Sequence, residues 1–380
     1  MGLTALAAVL VVIGGFLALR GRGVSPGRGT MAAVSAVAPA GAGPAAVPTG
    51  GPPGAAAAAA AGGSRPAPVV PEVLMPLARQ AADDYRRRAR FPRWSHPLAA
   101  DAPDPILRDR EVTPVSATGP EGAEPTLTVF PAQLSFEAPE PVVVHAFLSI
   151  GGVPIPALEI TGALLTEDLQ QLGSFAYHDD GVAGDLIAGD LVASAELVLP
   201  PELLPELSAS YLVKVRALTG EDEERLAATS FQYAQPHAYP TGRYTDRIAD
   251  GNLVVGVEIE VARTGRFHLE GTLYDAGGAQ PLVWGQVAAE LLPGRHWLDL
   301  VFYGLALREL GMDGPYLVRY LALSTTSDMP NAKNRLVENA HLTVAYPVSA
   351  FGDTPFDDPD LLEAADRLDG GGPASVEAEG

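Results

Sequence analysis

The chain has 380 residues, a formal net charge of −21 and no cysteine. That length leaves room for two or three domains, and the missing cysteine excludes disulfides, thiolate metal sites and a cysteine nucleophile. The charge excludes nucleic acid as a partner, because no folded stretch offers the basic stripe that releases counterions from phosphates.

Residues 3–19 (LTALAAVLVVIGGFLAL) form a continuous apolar run. As a helix this run is about 25 Å long, just short of a hydrocarbon core of about 30 Å. Gly14 and Gly15 weaken a soluble helix and are tolerated in lipid. The rival reading is a cleaved signal peptide, but the small-x-small candidate Ala36-Val37-Ala38 lies far from the run and precedes Pro39. Residues 1–23 are therefore read as an N-terminal transmembrane anchor or signal segment. Arg20, Arg22 and Arg28 follow the run and no charged side chain precedes it, so the positive-inside rule alone puts the body in the cytoplasm. The family resemblance given below argues for the other orientation, a single-pass inner-membrane protein with periplasmic or extracellular domains.

Residues 24–70 are rich in Ala, Gly and Pro, with an alanine tract at 55–61, and carry too few large apolar groups to offset the entropy of folding. They are read as a disordered linker. Residues 71–121 are expected to be an extended or helical connector, since Leu74, Leu77, Ala78, Ala81, Ala82 and Tyr85 fit a helical spacing. Arg86, Arg87, Arg88, Arg90 and Arg93 follow as a basic cluster. Such a cluster can meet lipid phosphates or an acidic partner. It can also be a solvated helix end whose arginines suit the C-terminal dipole or pair with the acidic modules, the commoner outcome for a short charge run.

From Glu124 the pattern turns to short strands bounded by turns. Strands are expected at 126–130, 133–136, 142–150, 173–177, 191–199, 211–218 and 229–233, making residues 122–235 one sandwich. Residues 236–350 are expected to form a second, with strands at 253–261, 266–274, 281–290, 295–303, 316–324 and 341–346 and a helical turn at 305–310 ending on Gly311. The predicted fold class is all-β: two tandem immunoglobulin-like antiparallel β-sandwiches after an N-terminal transmembrane helix and a disordered linker. Residues 351–380, with Asp357, Asp358, Asp360 and Glu363, are expected to be an acidic disordered tail.

The sharpest local feature is residues 178–190, HDDGVAGDLIAGD, in which Asp180, Asp185 and Asp190 recur every five residues beside or near glycine. Glycine lets a loop curl until oxygens converge, and calcium takes roughly 6–8 oxygen ligands, so these aspartates are candidate calcium ligands. The spacing is not that of an EF-hand. The alternative is that Asp-Gly and Gly-Asp pairs simply make tight turns, with the carboxylates bonded to their own backbone.

The stretch Asp179-Asp180-Gly181, Gly184-Asp185 and Ala188-Gly189-Asp190 resembles the turn motif of bacterial "choice-of-anchor X" domain proteins and related envelope β-sandwich families of unknown function. Where the family form continues with glycine and an aromatic residue, Leu191 and Ala193 stand here. Gly314-Pro315-Tyr316, after Phe302-Tyr303-Gly304, and the segment RFPRWSHP at 90–97 are similar to further parts of such proteins. The resemblance covers about residues 90–351. It implies a surface or periplasmic role and supplies no catalytic residue.

No Gly-x-Ser-x-Gly elbow, His-Glu-x-x-His, P-loop or dinucleotide fingerprint is present. His145 and His268 sit within strand patterns and read as structural. Trp284 and Trp297, with Tyr274, Phe302 and Tyr303, are either an aromatic sugar platform or sandwich core, which aromatics on alternating strands usually are. The expected function is a non-enzymatic, membrane-anchored extracytoplasmic protein that binds another envelope protein or braces an assembly. The alternative is a carbohydrate-binding protein acting on cell-wall or surface glycan, which requires Trp284 or Trp297 to be exposed.

Overall fold

A computed structural model describes residues 74–369. The expected anchor and linker lie outside the described residues. Among the described residues no helix is long and apolar enough to cross a membrane. The chain divides into two units, residues 91–355 and residues 74–90 with 356–369.

The smaller unit holds helix α1 (Met75–Ala89), which starts at the Leu74-Met75-Pro76 sequence and buries Ala78, Ala82 and Ala89 along one face. The larger unit begins with strand β1 (Ser95–Pro97), the short helix α2 (Pro105–Arg108) and β2 (Val115–Ala117). Nine strands then build the first pair of sheets: β3 (Thr126–Pro131), β4 (Ser135–Glu137), β5 (Val142–Ile150), β6 (Val153–Ile155), β7 (Glu159–Thr166), β8 (Gln171–Ala176), β9 (Ala193–Leu197), β10 (Ser208–Leu218) and β11 (Glu224–Ala234). One sheet runs β2-β3-β5-β6 with β9 also on β5, and the other runs β4-β11-β10-β7-β8. Only the β4–β11 pairing in this pair of sheets is parallel. Tyr211, Val213, Val215 and Ala217 of β10 point into the shared core and Lys214 points out, as a half-buried strand requires. β5 is buried on both faces over most of its length, which its run of apolar residues already implied.

The second pair of sheets comprises β12 (Ala238–Ala249), β13 (Asn252–Val261), β14 (Gly265–Asp275), β15 (Pro281–Leu291), β16 (Gly294–Phe302), helix α3 (Gly304–Leu310), β17 (Tyr316–Thr325), β18 (Ala332–Lys333) and β19 (Val337–Leu342). A three-stranded sheet runs β12-β13-β16, and a six-stranded sheet runs β1-β15-β14-β17-β18 with β19 on β17. Leu253, Val255, Val257, Ile259 and Val261 of β13 meet Phe267, Leu269 and Leu273 of β14 in one core. Helix α3 ends where Gly311 turns left-handed at φ 65°, as expected from the sequence. The described body is thus all-β and sandwich-like, with few helices.

The connector is paired into the sheets of the larger unit. β1 adds to the edge of β15, and Leu98 N donates to Leu282 O. The chain then crosses the outer face of the six-stranded sheet, where Ile106 and Leu98 pack on Tyr274, Trp284, Tyr320 and Ala322. Asp104 fastens this strap. One carboxylate oxygen caps α2 through Ile106 N at 2.8 Å, and the other accepts from Tyr274 Oη at 2.9 Å. β2 then joins β3, so one segment is stitched into both pairs of sheets. The pairs also meet where Arg335 N donates to Glu137 Oε2 (2.6 Å) and its guanidinium lies 3.0 Å from Glu140.

Two expectations are corrected, and one strand had no expectation. The strand expected at 341–346 is Val337–Leu342, because Val344 N and Tyr346 Oη are drawn to Asp246 instead of a ladder. Strand β12 lacked a readable apolar alternation and was missed. It is largely exposed and breaks register between Pro240 and Tyr244. The tail expected to be disordered holds helix α4 (Pro359–Leu368). Asp358 caps it through Asp360 N and Leu361 N, and Pro359 pre-sets its first turn. Within this unit α4 packs on α1, and Arg86 pairs with Asp366 and Asp369 while Arg87 pairs with Asp84. These arginines are therefore engaged with carboxylates of their own chain.

Candidate functional site

The aspartate loop sits where the chain passes from one sheet of the first pair to the other. Tyr177 N still bonds Ile160 O on β7, whereas His178 and Ser194 exchange backbone bonds beside β9. Between them the backbone takes left-handed conformations at Gly181, Ala183, Gly184, Gly189 and Leu191. Gly184 is required twice over. Its φ is 88°, and a Cβ there meets the methyls of Val143 at 2.8 Å.

Asp179, Asp185 and Asp190 are brought together, each offering a carboxylate oxygen within 4.8 Å of the others. Asp180, placed in the set by its five-residue spacing, instead accepts from Val182 N at 3.1 Å in its own turn. Asp179 takes its place because the loop folds back across it. Its two oxygens accept from Gly189 N (2.6 Å) and Leu191 N (2.9 Å). Asp185 is buried and accepts from Gly181 N at 2.6 Å, and Asp190 accepts from Val192 N at 2.9 Å. Sequence spacing counts residues along the chain, whereas left-handed turns decide which carboxylates converge.

Burial raises the Asp190 carboxyl above its ordinary value, as do the charges of Asp179 and Asp185, against the donation of Val192 N. A raised acid contributes stability that is lost as pH rises through its folded value. Asp190→Asn is therefore expected to raise the melting midpoint at about pH 7, with the gain vanishing in acid below the carboxylate range. A melt series of the two proteins across pH checks this. The amides account for the loop without an ion, and a calcium ion here has these three carboxylates plus loop carbonyls to draw on. Melts in calcium and in chelator separate the two uses. An unchanged midpoint assigns the aspartates to the amides, and a rise in calcium that Asp185→Asn abolishes assigns them to an ion.

The expected aromatic platform is split by the fold. Phe302 and Tyr274 are buried, and Trp284 is 9% exposed beneath the strap, with His96 against it at 4.9 Å. Trp297 is 45% exposed. The histidines take structural posts. His145 is fully buried with Nδ1 2.9 Å from Ser194 Oγ, and His268 Nε2 lies 2.7 Å from Gln286 Oε1.

One constellation had no sequence signal, because Asp246 lies 95, 98 and 100 residues from His341, Val344 and Tyr346. Asp246 of β12 accepts from His341 Nε2 (2.6 Å), Tyr346 Oη (2.7 Å) and Val344 N (3.2 Å), and the Tyr244 ring stacks on His341. Burial works against the Asp246 anion, but the donors from His341, Tyr346 and Val344 outweigh it and hold the carboxyl below its ordinary value. Tyr346 is pushed up to about 12, first by burial and then by its bond to Asp246. A depressed carboxyl contributes stability above its unfolded pKa that is lost as pH falls through the folded value. Asp246→Ala is expected to destabilise by about 3 kcal/mol at neutral pH, since it strands partners of a buried carboxylate. Midpoints of wild type and variant should converge as pH falls below about 4.

Comparison with known proteins places residues 241–339 in the region matched by the family described as "Domain of unknown function (DUF4785) C-terminal domain". Among solved structures, a DUF4785 family protein from Legionella pneumophila is similar at 18% identity and a TM-score of 0.42, covering 58% of this chain and 59% of that one. CopC from Methylosinus trichosporium OB3b aligns at 17% identity and a TM-score of 0.18, over 27% of this chain and 82% of that one. Squid arrestin aligns at 9% identity and a TM-score of 0.20, over 58% and 96%. The chain thus spans about three fifths of the Legionella protein. No curated protein matches. Over residues 241–339 the match is to a domain family of unknown function, DUF4785, and not to choice-of-anchor X.

Proposed function

We propose that this chain is a non-enzymatic, membrane-anchored extracytoplasmic protein whose two sandwiches, immunoglobulin-like in kind, engage another envelope protein or brace an assembly. The observation that supports this reading is the stitching of the larger unit. One segment pairs with β15 through β1 and with β3 through β2, so the two pairs of sheets present their outer faces as one body. A scaffold needs such fixed faces, and the apolar run at residues 3–19 followed by a linker suits a body held away from a membrane. In-cell crosslinking of the tagged full-length protein, with mass spectrometry of what copurifies from membranes, tests it. Periplasmic or surface proteins are the expected catch. Cytoplasmic proteins overturn the orientation.

A second reading, a carbohydrate-binding protein, is favoured by one observation. Trp297 projects from the outer face of the three-stranded sheet and is half-exposed.

A further inference from the structure

The outer face of the β12-β13-β16 sheet carries Trp297 among charged side chains, with Tyr239, Val254 and Val301 also in the outward register. Along β16, Leu298, Leu300 and Phe302 go into the core, so Trp297 and Asp299 must point outward. Trp297 stands opposite Glu258 and leans over Gly256, where a Cβ would come within 3.3 Å of its ring at Cε3. Glycine at 256 therefore lets the indole settle onto the sheet, and the side chain is still 45% exposed. The Arg243 guanidinium lies 5.9 Å from the ring centroid.

The charges on this face are balanced locally. Arg243 pairs with Glu258 (3.1 Å), Arg247 with Asp299 (2.6 Å) and Arg295 with Glu260 (2.6 Å). This contrasts with a chain of net charge −21. A ligand settling on Trp297 meets an aromatic plane rimmed by planar donors and acceptors, with no surplus of either sign. An anion gains no uncompensated cation there, and a cation no uncompensated anion. A neutral polyhydroxylated ring fits both features, because its C–H face suits the indole and its hydroxyls can bridge guanidinium and carboxylate edges.

We propose that Trp297, on its Gly256 floor, is the stacking subsite for a pyranose ring of a neutral polysaccharide, with the Arg247–Asp299 pair contacting its hydroxyls. The proposal rests on the carbohydrate reading given above. Native affinity electrophoresis of the detergent-solubilised full-length protein in gels containing hydroxyethylcellulose, galactomannan or dextran tests it, with polygalacturonate as the anionic control. Retardation by at least one neutral polymer is expected, and less by polygalacturonate. Trp297→Ala should weaken that retardation about tenfold or more, while Trp284→Phe leaves it unchanged. Asp299→Ala, a second exposed change on the same face, should weaken it too, and melts of each variant confirm the fold. No retardation of wild type by any neutral polymer overturns both the proposal and the carbohydrate reading. Retardation that survives Trp297→Ala overturns the subsite and leaves the carbohydrate reading standing. Loss of a crosslinked protein partner in Trp297→Ala, with saccharide retardation intact, reassigns the face to a protein.

Discussion

Gly304→Ala is expected to destabilise the larger unit by about 3 kcal/mol or more, the upper end of overpacking, and to lower its melting midpoint accordingly. Gly304 opens α3, directly after β16. A Cβ there would lie 2.0 Å from the carbonyl oxygen of Gly251 and 2.8 Å from Gly352 N. Both obstacles are backbone, so no side chain can swing aside. They are also bonded to each other, Gly352 N donating to Gly251 O at 2.8 Å, while Gly304 N donates to Asn252 Oδ1. Three chain segments therefore converge on a point that only a residue without a Cβ leaves free. Gly220→Ala is the matched control. Nothing lies within 4 Å of its added methyl, and a change within about 0.5 kcal/mol is expected. Equal midpoints for the two variants would show that the crossing at Gly251 yields easily.

Phe231→Ala is expected to destabilise the first pair of sheets by about 4 kcal/mol, with Phe231→Leu well below that. Phe231 is 2% exposed on β11, edge-on to Phe136 of β4 at 5.7 Å and stacked with Tyr211 of β10 at 5.6 Å. Truncation removes the central ring of three and leaves a cavity that the flanking strands, held by ladders on both sides, cannot close. The parallel β4 pairing spans only a few residues, so loss of the Phe136 contact should also loosen that edge. Thermal melts followed by near-ultraviolet circular dichroism, which reports the packing of such rings, check the size. A loss below about 1 kcal/mol would mean that the core refills.

Strands with a clear alternation were legible as residues in a row. The nine residues of β5 match the expected run, β13, β15 and β17 differ by one residue at one end, and β14 by one residue at each end. Each buries at least one continuous apolar face, which leaves a period of two in the sequence. β7 escaped notice because Gly162 interrupts it, and the reason for that glycine is the Phe175 ring, 2.3 Å from any Cβ placed there. β12 escaped because an edge strand with one solvated face and a bulge carries charges where a pattern is sought. Asp185 and Asp190 were legible as candidate ligands, but Asp179 replaced Asp180.

What the sequence by itself determined is the all-β class, the turn-rich aspartate loop and the apolar faces of the long strands, because these follow from local periodicity and from where glycine and aspartate stand. Tertiary structure alone decided which tryptophan is covered and which is open. Trp284 and Trp297 sit on strands of similar pattern, yet the strap with Ile106 and Leu98 lies over one and nothing of this chain among the described residues buries the other. It likewise decided that Asp246 meets His341 and that Asp179, Asp185 and Asp190 converge. Those outcomes depend on chain segments far apart in sequence, or on left-handed turns that bring a carboxylate back across a loop. No local spacing records either.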